Sequence, residues 1–153
     1  AASVVQDTVE SAAINAADSM SGMLALKLVT GADFFGRSVM SGGHVASIAM
    51  VRGGVADLCA VDCVTLALLR QYRPQALEGL HEVARSPQVP GLPYVTRAAA
   101  AAPLQRALAD VFADKRHHDL LKALLISGLS VLDPSDYDVI LELEKNLESI
   151  RSR

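Results

Sequence analysis

The sequence lacks tryptophan and has only three phenylalanines and three tyrosines among its 153 residues. Aromatic rings therefore contribute little to its core, which has to be built from aliphatic side chains and alanine. A run of about 18 apolar residues is also missing, so we expect no membrane-spanning helix. The N-terminus shows no basic stretch followed by an apolar one, and hence no signal peptide. We expect a cytoplasmic protein, or the mature or truncated form of a longer one.

Cysteine is scarce, because Cys59 and Cys63 are the only two in the chain. Two cysteines do not make a disulfide framework, and the sequence offers no paired spacing of metal ligands beside them. We interpret both as reduced, partly buried small side chains. His117 and His118 are adjacent and diverge by about 100° on a helix, so they indicate a solvated helix start instead of a chelate. We therefore expect no metal and no cofactor.

An excess of positive charge is absent as well, since the net charge is −3 and the isoelectric point lies near 5.8. A nucleic-acid-binding protein usually shows a basic face, so we expect no nucleic-acid partner. Hydrophobic residues make up 51% of the chain and charged residues 20%, which indicates a folded core instead of disorder. The length fits one ordinary domain or two small lobes.

The first half contains three apolar runs, each followed by a polar turn and a helix-like segment. The runs are Ser11–Asn15, Ser38–Met40 and Ala56–Asp62. They are apolar throughout instead of alternating, which predicts a parallel sheet covered by helices on both faces, a three-layer αβα architecture. Such a series of βα units implies right-handed crossovers and a parallel sheet, and in a parallel sheet the carboxyl ends of all strands lie at one edge. That edge is where open α/β sheets bind ligands.

After Pro74 the pattern becomes poorer in strands. We predict two short strands, at residues 81–87 and 94–97, separated by a stretch that three prolines stiffen. This stretch reads as a crossover segment instead of a flexible tether.

The rest of the chain is predicted to form three helices with apolar faces. The first is expected to begin at Pro103, because proline favours the first helical position. The second starts near His117 and stops at Gly128. The third follows an N-cap at Asp133 or Ser135.

These three apolar-faced helices have few strands to pack on. We therefore expect the chain to be a fragment of a two-lobed α/β protein that lacks its opening segment. Exposed apolar faces tend to become interfaces, so we also expect a homodimer or an exchange of elements between chains.

The turn after the first strand, "NAADSMSG", is rich in small polar residues. Helix N-termini carry unpaired N–H groups and a partial positive charge, so they bind anions. Ser19 and Ser21 add hydroxyl donors, and Gly22 lets the backbone approach a ligand closely. The turn therefore predicts a cradle for phosphate-like or carboxylate oxygens. The alternative is that Asp18 or Ser19 simply caps the helix.

The other two turns place His44 and Asp62 at the same predicted edge. His44 can donate to an oxyanion, although a histidine at a helix start is often structural. Asp62 can orient His44, or accept from a protonated ligand oxygen or an amine, or merely cap the third helix. Ser21, His44 and Asp62 suggest a catalytic triad, but the G-x-S-x-G elbow and a Walker A lysine are both absent. We predict a binding protein without catalytic residues.

Three segments together resemble a known family: "DSMSG", "SGGHVASIAMVRGGVADLCAVDCVTLALLRQYRP" and "GLPYVTR". They resemble the periplasmic binding proteins of phosphate, phosphite and phosphonate ABC transporters, in the phosphonate-binding-like branch of the type 2 periplasmic binding fold. The resemblance runs from about Ser11 to Arg97, and more loosely to Ile150.

This resemblance implies a role for each polar turn. The positions of Ser19, Met20 and Ser21 match the turn that holds the ligand's phosphonate or phosphate oxygens, with Met20 offering its backbone N–H. His44 matches a further oxyanion contact. Asp62 matches an acidic position that contacts the amine in binders of amine-bearing phosphonates. The predicted ligand-binding set is Ser19, Met20, Ser21, Gly22, His44 and Asp62.

The resemblance also implies a domain division and a biological setting. Residues 1–92 would form the second α/β lobe, and residues 93–153 the crossover strand and the mostly helical C-terminal part of an incomplete first lobe. The expected function is a periplasmic solute-binding protein, or a fragment of one, that delivers a small oxyanion to an ABC permease in the membrane. The alternative is the effector-sensing domain of a transcription regulator with the same fold.

Overall fold

The computed structural model describes residues 9–31 and 36–151. Its sheet consists of three parallel strands, β1 (Ser11–Ile14), β2 (Arg37–Met40) and β3 (Leu58–Cys59), in the order β2-β1-β3. The predicted mixed α/β fold with a parallel sheet is confirmed. The third strand is shorter than the apolar run "ADLCAVD" predicts, because only two of its residues pair with β1.

β1 is the central strand, and all four of its residues are buried. On one side β1 pairs with β2, in a register that begins with Ser11 opposite Arg37 and ends with Ile14 opposite Met40. On the other side Ala12 and Ala13 pair with β3. The prediction of strands covered on both faces holds for β1 but is wrong for β2, which is exposed except for Val39. β2 is an edge strand, so only one side of it meets another strand.

A helix follows each strand, as the three predicted βα units require. The helices are α1 (Ala25–Thr30), α2 (His44–Arg52) and α3 (Cys63–Tyr72). α1 ends at Gly31, whose φ of 88° favours glycine. One feature is unexpected: α1 is preceded by a π-helical turn, Met20–Leu24, in which Leu24 N–H donates to the carbonyl of Ser19 at 3.0 Å.

The strand order places a topological switch point between β1 and β3. The chain moves from β1 to β2 in one direction and from β2 past β1 to β3 in the other. With right-handed crossovers, α1 and α2 then pack on opposite faces of the sheet. Doubly wound sheets of this order bind their ligands at the carboxyl ends of β1 and β3.

The core of the sheet region is small and aliphatic. Ala12, Ile14 and Leu26 form its buried cluster, and Met23, Leu58 and Ala60 are half-buried against it. Burying a side chain such as Ile14 contributes about 1.5–3 kcal/mol. Packing of α1 against β1 thus fixes the turn that connects them.

Asp57 joins the starts of β1 and β3. Its Oδ2 accepts from the N–H of Glu10 at 3.0 Å, the N–H of Ser11 at 2.8 Å and the hydroxyl of Ser11 at 2.9 Å. These hydrogen bonds, first of all the one from the Ser11 hydroxyl, lower the pKa of the Asp57 carboxyl. Asp57 was not among the residues predicted to matter from the sequence.

Both strands predicted after Pro74 are wrong. A short 3₁₀ helix, Pro74–Leu77, follows α3, and residues 81–97 contain neither helix nor strand. Prolines at positions 87, 90 and 93 cannot donate to a strand ladder, so the stretch that joins the two predicted strands is unsuited to pairing. The carboxylate of Glu82 forms ion pairs with Arg70 of α3 and with Arg85, and these hydrogen bonds lower the pKa of Glu82 to about 2.

The helices of the second half differ from the prediction in their ends. α4 spans Ala98–Ala113, so Pro103 lies inside it instead of at its start. Five preceding alanines, which have the highest helix propensity, sustain the turn before the proline. α5 is preceded by a 3₁₀ turn, Lys115–His117, and spans His118–Ala123. It ends well before Gly128, because Leu125 takes a left-handed conformation with φ 60°.

The last helix matches its prediction. Asp133 is the N-cap of a 3₁₀ turn, Pro134–Tyr137, that leads into α6 (Asp138–Arg151). The carboxylate of Asp136 accepts from the N–H of Asp133 at 2.7 Å and so helps to cap the N-terminus of this turn. No described helix of the molecule is long and apolar enough to cross a membrane.

Two compact units are distinguishable in the chain. One comprises the residues up to Gln88 and those from Val139 on, and the other comprises Val89–Asp138. The second unit holds α4 and α5, and its Tyr137 hydroxyl donates to the carbonyl of Gly91 at 3.3 Å.

Candidate functional site

The three polar turns meet at the carboxyl edge of the sheet. Ser21 Oγ, from the turn after β1, lies 3.0 Å from Nε2 of His44, the first residue of α2. Asp62 Oδ2, from the turn after β3, lies 3.5 Å from the same nitrogen. The structure therefore brings together side chains that are up to 41 positions apart in the chain, since the site runs from Ser21 to Asp62.

The first turn is a π-helical turn that Ser19 caps. Ser19 is the N-cap, and its Oγ accepts from Gly22 N–H at 3.0 Å. The capping role that the sequence left open is thus real for Ser19, whereas Asp18 is exposed. Because a π-helical turn bonds each N–H to a carbonyl five residues back, the N–H groups of Met20 and Ser21 have no acceptor within it.

Gly22 is buried and could not be another residue in this conformation. A Cβ at this position would lie 1.8 Å from Asn15 Oδ1 and 3.1 Å from Ser19 Oγ. The glycine in "DSMSG" therefore serves the packing of the turn against the end of β1, in addition to the open backbone that the sequence suggested.

The start of α2 is fixed by two serines. Ser41 Oγ donates to the carbonyl of Ile14 at 3.1 Å and lies 2.6 Å from Oγ of Ser47, which is fully buried. Between Ser41 and α2, Gly42 adopts a positive φ of 80°. This network ties the second turn to the end of β1 and so directs the His44 side chain inward. Ser41 and Ser47 lie within the quoted family segment but were not predicted as site residues.

The His44 ring is oriented by a backbone carbonyl. Nδ1 lies 3.1 Å from the carbonyl oxygen of Ala60, just after β3, and a carbonyl can only accept. Nδ1 therefore carries a hydrogen, which leaves Nε2 as the atom that faces Ser21 and Asp62. Only 13% of the His44 side chain is exposed, so the ring has little freedom to turn away.

Asp62 caps α3 and also faces His44, which are two of the three roles that the sequence left open. Its Oδ1 accepts from Thr65 N–H at 2.8 Å as the N-cap of α3, while its Oδ2 faces His44. Desolvation acts to raise the pKa of the Asp62 carboxyl, but the hydrogen bonds from Thr65 and the proximity of His44 outweigh it, and the pKa is lowered. Asp62 is thus a carboxylate at neutral pH.

The arrangement differs from a catalytic triad. In a triad the nucleophile and the carboxylate bond to opposite nitrogens of the histidine. Here Ser21 and Asp62 share Nε2, and the Ala60 carbonyl occupies Nδ1. The described residues also contain no group of three or more His, Cys, Asp or Glu side chains that could hold a metal ion.

Asn15 belongs to this cluster, although the sequence analysis did not select it. Its Nδ2 lies 3.4 Å from His44 Nε2, and its Oδ1 is buried without a hydrogen-bond partner among the described residues. The available signal was its position, because it is the first polar residue after the buried β1.

An open depression adjoins the cluster at the start of α2. Gly42, Gly43, His44 and Val45 line it, together with Thr65 of α3. It is shallow and open to solvent, and two of its lining residues are glycines whose backbone is accessible. A small ligand could reach the His44 ring from this side.

Comparison with known proteins identifies the family. A model of the family described as ABC transporter, phosphonate, periplasmic substrate-binding protein matches residues 10–137. A search of curated proteins finds no match to the chain. The chain belongs to the phosphonate-binding family of periplasmic substrate-binding proteins of ABC transporters, as the sequence resemblance implied.

Proposed function

We propose that this member of the phosphonate-binding family captures a small oxyanion, such as phosphate, phosphite or a phosphonate, where Ser21, His44 and Asp62 meet. The observation that carries the proposal is the 3.0 Å approach of Ser21 Oγ to His44 Nε2. Ser21 belongs to a π-helical turn whose first N–H groups have no acceptor within the turn itself.

The electrostatics of the turn favour negative oxygen atoms. The turn at Ser19 continues into α1, so the partial positive charge of a helix start is directed at this edge. The N–H groups of Met20 and Ser21 are the donors that this turn offers to an anion, and a protonated His44 adds a full positive charge. Ser19 supports this turn through its bond to Gly22 N–H instead of presenting a free acceptor.

Asp62 narrows the class of ligand. A carboxylate 3.5 Å from His44 Nε2 repels a fully ionised anion. It accepts a hydrogen bond from a protonated ligand oxygen or from a ligand amine. We therefore propose that the site prefers a ligand bearing such a donor, and that Asp62→Asn weakens this preference.

Isothermal titration calorimetry with phosphate, phosphite, methylphosphonate and an aminoalkylphosphonate tests the proposal. We expect Ser21→Ala and His44→Ala each to weaken binding by about 10- to 100-fold, because each removes a hydrogen bond to a charged group. Ser86→Ala and His81→Ala remove the same side chains from a half-buried and an exposed position outside the site and should leave the affinity unchanged. Absence of heat with all four ligands, or equal affinities of site and control variants, would contradict the proposal.

The family implies a transport setting. Its members are periplasmic substrate-binding proteins of ABC transporters, so we propose that the bound anion is handed to a permease in the membrane. The division into a second lobe up to about residue 92 and a part of the first lobe beyond it stays a prediction. Nothing in the described residues favours the alternative of an effector-sensing domain of a regulator.

Association between copies remains part of the proposal. Several apolar side chains of residues 89–138 are exposed, among them Leu92, Val95 and Val131. Exposed apolar side chains in this number support an interface. Light scattering should show a dimer at working concentration, and a monomer there would contradict this point without affecting anion binding.

A further inference from the structure

Asn15 is a polar residue of the site to which the proposed function assigns no role. Its Nδ2 lies 3.4 Å from His44 Nε2, and its Oδ1 is buried without a partner among the described residues. Buried amide oxygens are almost always hydrogen-bonded, so an unpaired one in a functional cluster asks for a physical reason.

The position of the Asn15 amide is narrowly defined. The residue directly follows β1, whose last residue, Ile14, is 1% exposed. The amide packs against Gly22, where even one added Cβ would come within 1.8 Å of Oδ1. A half-turn about the Cβ–Cγ bond exchanges Oδ1 and Nδ2 while the amide keeps the same space.

The nitrogen and the oxygen of the Asn15 amide suit the neutral and the protonated state of His44, respectively. Nδ1 donates to the Ala60 carbonyl in both states, so only Nε2 changes. In the neutral ring Nε2 carries a lone pair and accepts, which suits Asn15 Nδ2 as the structure places it. In the protonated ring Nε2 becomes a donor, and a half-turn would bring the unpaired Oδ1 to face it.

We propose that Asn15 is a positioning residue of the oxyanion site, whose amide turns to complement His44 in either charge state. The His44 ring then keeps Nε2 beside Ser21 when a bound anion favours its protonation. The proposal rests on the proposed function only in taking His44 as an anion contact. The pairing of Asn15 with His44 can be measured without any ligand.

The other groups that face His44 do not replace this role. From the turn after β1 comes the Ser21 hydroxyl, from the end of β3 the Ala60 carbonyl, and from the start of α3 the Asp62 carboxylate. Among these recorded contacts only Asp62 is charged, and as a carboxylate it complements the protonated ring alone. Only Asn15 and Ser21 can serve both states, and Ser21 is the proposed ligand contact.

NMR titration of the ligand-free protein tests the proposal. We expect the Asn15 side-chain amide signals to change with the same pH midpoint as the His44 ring signals. Asn15→Asp, which can only accept once ionised, should raise the His44 midpoint by about one pH unit or more. Asn15→Leu, which keeps the bulk but not the hydrogen bonds, should lower it.

Asn146→Asp provides the matched control, since Asn146 is an exposed residue of α6 and the substitution adds the same charge. It should leave the His44 midpoint at the wild-type value. If Asn15→Asp gives that same midpoint, or if the Asn15 amide signals do not follow His44, the proposal is overturned. If Asn15→Leu fails to fold, the amide signals of the wild-type protein and the His44 midpoint of Asn15→Asp still test the proposal.

The two proposals fail separately. Asn15→Leu should weaken phosphonate binding at least tenfold in calorimetry if positioning of His44 matters to the site. Loss of the Asn15–His44 coupling in NMR with unaltered anion binding overturns the positioning role alone. Intact coupling in a protein that binds none of the four anions overturns the proposed function alone.

Discussion

The βα region up to residue 88 and the region from 89 to 138 use apolar residues in opposite ways. In the first region every residue of β1 is buried, and α1, α2 and α3 each contribute buried side chains. Residues 89–138, all of which the structure describes, contain no buried side chain, and Val131 is 70% exposed there.

This difference shows what a sheet adds to helices of similar composition. α4 is rich in alanine and leucine, yet none of its residues is buried. A helix buries its apolar face only against another element, and β1 offers such a surface to α1 and α2. The candidate site lies in the region that has this surface, where packing against the sheet holds Ser21 and His44 in place.

Removing one buried and one exposed aliphatic side chain tests directly whether the two regions differ in packing. Ile14→Ala should lower the free energy of unfolding by about 2–5 kcal/mol, because it leaves a cavity in the β1 core. Val131→Ala should change it by less than about 0.5 kcal/mol. Urea unfolding followed by circular dichroism measures both. Equal losses would show that the two regions are packed alike.

A second test uses glycines from the two regions. Gly22→Ala should cost about 1–3 kcal/mol, because the new Cβ meets Asn15 Oδ1. It should also weaken anion binding, since the turn has to move. Gly91→Ala is the matched control, because no heavy atom lies within 4 Å of its Cβ position. A Gly22→Ala variant as stable as the control would mean that the turn is loosely packed.

Acid sensitivity separates the regions in a third way. The pKa values of Asp57 and Asp114 are both lowered, Asp57 chiefly by hydrogen bonds across 46 positions of the chain and Asp114 chiefly by Arg116, two residues away. A lowered pKa in the folded state stabilises the protein above the unfolded value, near 4, and this stabilisation is lost as the pH falls through the folded value.

Asp57→Asn should therefore lower the melting temperature at pH 7, and the melting temperature of this variant should fall less steeply below pH 4. Asp114→Asn should change the melting temperature at pH 7 and its decline in acid much less, because Arg116 remains nearby in the unfolded chain. Thermal unfolding monitored between pH 2 and pH 7 makes the comparison. Indistinguishable profiles for the two variants would show that the long-range bonds of Asp57 contribute nothing.

The smallest expected effect concerns the backbone of the second region. Leu125 has a φ of 60°, which is strained for a side chain with a Cβ, and the residue is 45% exposed. Leu125→Gly should stabilise its region by about 0.5–1 kcal/mol. Leu124→Gly, at a φ of −86°, should not stabilise it. Urea unfolding distinguishes the two, and a destabilised Leu125→Gly would indicate that the leucine side chain packs more tightly than its exposure suggests.

Local pattern was sufficient for the first half of the chain. Apolar runs and polar turns predicted three parallel βα units, and the structure differs there mainly in the π turn and in the length of β3. The same reasoning failed at residues 81–87 and 94–97, because a strand needs a partner and local propensity does not supply one. It also misplaced the ends of α4 and α5, where alanine propensity and the conformation of Leu125 decide.

Three residues of the candidate site and their common edge were predicted, but the atoms that face one another were not. Ser21, His44 and Asp62 were selected because polar turns of a parallel sheet share an edge. Asn15 was missed, because nothing in its neighbourhood along the chain shows that its amide packs against Gly22 and faces His44.

Short stretches of the chain were enough to predict the parallel βα order and the residue types at the edge, because these follow from periodicity and turn chemistry, and three segments carried the resemblance to the family. The folded chain alone shows which nitrogen of His44 faces Ser21 and Asp62, and that Asn15 lies in the same cluster. Those facts depend on atoms placed within a few ångströms by residues far apart in the chain, where the Ala60 carbonyl and the missing side chain of Gly22 set the geometry.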